Sequence, residues 1–111
     1  MAGVSLEEFE QMIISSCSNL VFVESINILA STETSHLWRI TLIDKSIVDV
    51  YYSESTGKTS FAQIKLEQRI FGADNAGDWH WHPRENPSLH VRTHEEITFE
   101  ELMKKLETSF K

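Results

Sequence analysis

HLWRITLIDKSIVDVYYS, residues 36–53, is the stretch that decides the fold. His36 opens it. Trp38, Ile40 and Leu42 fall on one side of an extended chain and Arg39 and Thr41 on the other, because side chains alternate across a strand. Asp44-Lys45 then offers a tight turn, and residues 47–53 are strand formers throughout, so the stretch predicts a β-hairpin. Asp49 is a charge between Val48 and Val50. It belongs on an edge strand or on the wet face of the sheet, where a carboxylate can also orient a histidine or arginine on a neighbouring strand.

Outward from the hairpin the pattern continues. Residues 54–58, with Gly57, read as a turn. Residues 61–71 alternate again, with Ala62, Ile64, Leu66 and Ile70 on one side and Gln63, Lys65, Glu67 and Arg69 on the other. A turn or bulge near Glu67 divides them into two strands. Upstream, residues 21–28 are rich in β-branched side chains and predict a first strand, joined to the hairpin by the polar loop 30–35. At the N-terminus Ser5 and Glu8 form a capping box and Val4 and Phe9 a hydrophobic staple. Leu6, Phe9, Ile13 and Cys17 recur at steps of three and four, which predicts a helix over residues 6–17. A second capping box, Thr98 with Glu101, opens a C-terminal helix carrying Phe99, Leu102, Met103, Leu106 and Phe110, with Ile97 and Leu102 as its staple. The expected fold is a single α+β domain over residues 1–111: an antiparallel β-sheet meander of four to five strands packed with N-terminal and C-terminal helices.

With 111 residues the chain has room for one domain and a modest core. No apolar run is long enough to span a bilayer, and no secretory leader is visible, so a cytoplasmic protein away from membranes is expected. The single cysteine, Cys17, excludes an internal disulfide and any multi-thiolate zinc site, and it falls on the apolar stripe of the first helix. The formal net charge of -7 disfavours non-specific binding to a nucleic-acid backbone. That charge is uneven. Residues 1–36 hold five glutamates and no lysine or arginine, whereas residues 69–94 balance Arg69, Arg84 and Arg92 against Asp74, Asp78 and Glu85 before four histidines are counted.

Residues 72–93 lose all regular periodicity and are punctuated by Gly72, Gly77, Pro83 and Pro87. A long irregular segment in a small domain usually carries function. If residues 79–82, Trp-His-Trp-His, are extended, the tryptophans face the core and His80 and His82 face away from it. Three readings fit. His80 and His82, with His90 as a third candidate, would serve as a general acid–base pair, with an arginine stabilising charge on a phosphate. Alternatively His80 and His82, joined by His90 or His94 and by Asp74 or Asp78, would ligate zinc, nickel or iron. In the third reading the histidines are hydrogen-bonded rim residues, the tryptophans are core, and Asp74 and Asn75 cap a turn.

At Arg69, Asp74, Asn75 and Ala76, then His80, His82 and Pro83, then His90, the sequence resembles the TumE-like toxin family of toxin–antitoxin systems. The organisation is similar over residues 20–108, and the specific matches lie within residues 69–90. Gly77-Asp78-Trp79 stands before the first histidine where many members have none, and two extra residues separate Arg69 from Asp74. The resemblance implies an endoribonuclease with an antitoxin partner. On that basis the leading expectation is a small RNA-cleaving toxin that works by metal-independent acid–base chemistry and needs no cofactor. His80, His82 and His90 are its candidate catalytic residues, Arg69, Arg84 and Arg92 its phosphate contacts, and Asp74, Asn75 and Asp49 its orienting residues. The alternatives are a non-enzymatic partner-binding or homo-oligomeric protein, which suits the acidic surface, and a histidine-ligated metalloprotein.

Overall fold

A computed structural model describes residues 3–110. Helix α1 (Leu6–Cys17) starts where its capping box predicts: the Ser5 hydroxyl accepts from the Glu8 N–H, and the Glu8 carboxylate accepts from the Ser5 N–H. Seven strands follow: β1 (Val23–Ser31), β2 (Ser35–Leu42), β3 (Ile47–Ser53), β4 (Thr59–Lys65), β5 (Gln68–Asp74), β6 (His80–His82) and β7 (Val91–Arg92). Helix α2 (Phe99–Glu107), opened by the Thr98–Glu101 box, and a short 3-10 turn (Thr108–Phe110) close the chain.

The strands form one antiparallel meander in the order β1 to β7. The α+β class and the two flanking helices are as expected, but the sheet has seven strands rather than four to five. The two additional strands, β6 and β7, come from the segment expected to be irregular. They are three and two residues long, too short to leave a periodic signal, and they exist because β5 offers a free edge. Asp74 pairs with His80, Ala73 with Trp81 and Gly72 with His82, and β6 then pairs with β7 through His80–Arg92 and Trp81–Val91.

One face of the sheet carries the core. Trp38, Ile40, Leu42, Val48, Val50, Tyr52, Phe61, Phe71 and Ala73 are buried against Phe9, Ile13 and Cys17 of α1 and Phe99, Leu102, Met103 and Leu106 of α2. The Phe9 ring stacks on Tyr52 at 4.3 Å and on Trp38 at 5.4 Å between centroids. The polar ends of these rings are satisfied: the Trp38 indole donates to Glu10 at 2.8 Å and the Tyr52 hydroxyl to the Val4 carbonyl at 2.5 Å. In β4 the buried positions are Thr59, Phe61 and Gln63, whereas Ala62 and Ile64 are half-buried on the other face. The apolar-looking side is therefore not the core side there. Gln63 tolerates burial because it donates to the Ser46 hydroxyl at 3.1 Å and accepts from Arg84 at 3.0 Å. Leu66 and Glu67, both at positive φ, make the two-residue turn into β5. No helix among the described residues is long and apolar enough to cross a membrane.

Candidate metal centre

Strand β6 does what its alternation requires. Trp81 points to the core face, where it stacks on Phe71 at 5.7 Å, and Trp79 just before it stacks on Phe61 at 6.2 Å. His80 and His82 point to the opposite face, beside their strand partners Asp74 and Gly72. They are not solvent-facing. Only 6% of His80 and 3% of His82 is exposed. Part of that burial comes from His90, at the end of the segment that follows β6. The His90 ring stacks face to face on His80 at 4.7 Å and edge-on to His82 at 4.6 Å, and His90 is itself exposed. One ligand atom from each of His80, His82 and His90 lies within 4.8 Å of the others.

Both nitrogens of each buried ring face an oxygen acceptor. Nδ1 of His80 lies 2.8 Å from the Asp78 carbonyl, and Nδ1 of His82 lies 3.2 Å from the Pro87 carbonyl. A carbonyl oxygen only accepts, so Nδ1 makes this bond only when it carries the ring hydrogen. A neutral imidazole has only one N–H, so in each ring one nitrogen is left with a lone pair toward an oxygen. Each Nε2 faces the same carboxylate: His80 Nε2 lies 3.2 Å from Asp74 Oδ1, and His82 Nε2 lies 2.9 Å from Asp74 Oδ2. Burial on its own pushes the Asp74 carboxyl up. The Ala76 N–H and the neighbouring His82 and His80 outweigh burial and hold it below the ordinary carboxylate range. The carboxylate is thus an acceptor too. Lone pairs facing one another in a buried site require a cation between them, either a proton on each ring or a metal ion.

The spacing suits an ion. A metal bound at about 2.1 Å to two neighbouring donors sets those donors about 3.0–3.4 Å apart. The Nε2–carboxylate separations of 3.2 and 2.9 Å are of that order. Backbone carbonyls holding Nδ1–H while Nε2 ligates is a common supporting arrangement around metal-bound histidine. Of the sequence-stated ligand choices, the fold brings His90 and Asp74 to the pair. This overturns metal-independent acid–base chemistry at these histidines. The rings of His80 and His82 are buried, each of their nitrogens has an acceptor neighbour, and with His90 they bring together three ligand atoms that could hold a metal ion.

The arginines expected on phosphate do not converge there. Arg84 donates to Gln63 and lies over the Phe71 ring at 5.1 Å, on the core side. Arg92 pairs with Asp78 at 3.8 Å on the surface. Arg69 reaches the Pro87 carbonyl at 3.5 Å, the same oxygen that His82 uses. Asp49 makes a two-pronged ion pair with Arg39 at 2.8 and 2.9 Å, within the β2–β3 hairpin. Asn75 clamps the turn before β4, accepting from the Thr59 N–H and donating to the Gly57 carbonyl, both at 2.9 Å. Gly72 was visible in the sequence only as punctuation. On the sheet it sits opposite His82, and a Cβ there would come within 2.4 Å of the Phe61 carbonyl oxygen. No known protein family, curated protein or solved structure matches the chain.

Proposed function

We propose that the protein is a histidine-ligated metalloprotein, with His80, His82 and His90 as nitrogen donors and the Asp74 carboxylate as an oxygen donor. The observation that carries this reading is the convergence of His80, His82 and His90, with one ligand atom from each within 4.8 Å of the others, beside the half-buried Asp74 carboxylate. Imidazole with carboxylate and no thiolate suits a divalent ion of the zinc, nickel or iron class. When bound, the ion would tie β5, β6 and the chain segment before β7 together at one point. Kinship with the TumE-like family stays a proposal carried by the residue matches between positions 69 and 90.

Purified protein stripped with chelator and given zinc or nickel at about 100 times the dissociation constant should gain about 2.7 kcal/mol of stability. For a domain of this size that raises Tm by about 10 °C. His82→Ala should lose most of that gain. An unchanged Tm with zinc, nickel and ferrous iron, and no stoichiometric metal in the purified protein, would overturn the reading.

A further inference from the structure

The four donors are not equivalent. Asp74, His80 and His82 belong to paired strands and are held by the sheet. His90 does not. It ends the segment 83–90, which leaves β6 at Pro83 and folds back over the outer face of the sheet to place its ring on His80. This segment has its own internal turns: the Asn86 N–H donates to the Pro83 carbonyl at 3.1 Å and the Leu89 N–H to the Asn86 carbonyl at 2.9 Å. Its entry is anchored by Arg84 on Gln63 and Phe71. Beyond Arg84, the hydrogen bonds seen between the segment and the rest of the molecule converge on one atom, the Pro87 carbonyl. His82 Nδ1 at 3.2 Å and Arg69 Nη2 at 3.5 Å both reach it. Residues 85, 86, 88, 89 and 90 are exposed. A segment with so few tethers and so little burial opens locally at low cost.

We infer that residues 83–90 form a lid whose closure is controlled by the metal through His90. This rests on the metal-centre reading above and deepens it. The three sheet-held donors take the ion whether the lid is open or closed. His90 adds its ligand only when the lid is closed. The ion therefore binds the closed form more tightly, and by linkage it holds the lid shut by the same factor. With the lid open, His80 and His82 lose their cover, and one coordination position on the ion becomes free for an outside donor.

Linkage makes the test quantitative. Zinc affinity is measured for the wild-type chain and for His90→Ala, whose exposed position leaves folding intact. Amide hydrogen exchange across residues 84–92 is then followed for both proteins, with and without zinc. The expected result is that His90→Ala still binds zinc, about tenfold or more weakly. Zinc should slow lid exchange in the wild type by about that same factor and leave lid exchange in His90→Ala unchanged. As an independent readout, tryptic cleavage after Arg84 should slow on zinc loading only in the wild type. Failure of the wild type to bind zinc would sink the metal centre itself. Zinc binding by the wild type with lid exchange unmoved, or with His90→Ala binding equally tightly, would leave the centre standing and overturn the lid.

Discussion

At Asp74 a single carboxylate accepts from the Ala76 N–H at 3.0 Å and faces Nε2 of both buried histidines, one with each oxygen. Asparagine there keeps the shape and the bond from Ala76 but loses the charge and one acceptor. Asp74→Asn should therefore weaken zinc binding by about 10- to 100-fold. Calorimetric titration would check it, and an unchanged affinity would remove Asp74 from the ligand set. Gly72 sets the geometry beside it. Because the clash at 2.4 Å is with backbone rather than with a flexible side chain, Gly72→Ala must push β4 and β5 apart. It should cost about 1–3 kcal/mol in urea unfolding and weaken zinc binding together with stability. Cys17 is a contrasting case. Burial pushes its thiol up to about 11, so in the folded protein it behaves as a small apolar side chain and not as a metal ligand or nucleophile. Its place on the apolar stripe of α1 was legible in the sequence. The role of Asp74 was only half legible, because spacing offered Asp74 and Asp78 equally and only the β5–β6 register chooses between them.

At the scale of elements, α1, the β2–β3 hairpin and the start of α2 follow from local chemistry: capping boxes, alternation and a turn at Asp44-Lys45. The hairpin turn is closed by Asp44, which accepts from the Ser46 N–H at 2.9 Å and from its hydroxyl at 2.6 Å. Burial alone pushes the Asp44 carboxyl up, but the two bonds from Ser46 and the nearby Lys65 hold it below the ordinary value. A carboxyl whose folded pKa is depressed binds its proton more readily in the unfolded chain. Its stabilising contribution is full above the unfolded value of about 3.9 and is lost as pH falls through the folded one. Asp44→Asn should therefore be less stable than the wild type at neutral pH, with the gap closing on acidification below about pH 4. Urea midpoints across pH would show it, and a gap independent of pH would refute it. Strands β6 and β7 were illegible for a different reason. Each is only two or three residues long, and their pairing is dictated by an edge that forms only once β5 is in place. Gln63 misled for a related reason, since its burial depends on Ser46 and Arg84, distant in sequence.

At the scale of the whole molecule, the seven-stranded sheet divides two tasks between its faces. The helices and the aromatic core hold one face rigid. The other face, near its β5–β6 end, presents the imidazoles and is covered by the segment 83–90. Alternation in residues 79–82 links the two: Trp79 and Trp81 anchor the strand in the core, which fixes where His80 and His82 stand. The sequence could place tryptophans and histidines on opposite faces. It could not show that His90 returns to cover the pair, because that contact depends on how a segment without periodicity folds back.

The central claim is that a metal ion, not two extra protons, resolves the lone pairs between the histidines and Asp74. Nuclear magnetic resonance of the imidazole ring nitrogens at neutral pH, before and after one equivalent of zinc, tests this most directly. In the zinc-loaded protein, His80 and His82 should each keep a proton on Nδ1 and carry none on Nε2, whose nitrogen signal moves on loading. Both nitrogens protonated in both rings, with signals unmoved by zinc, would contradict the account.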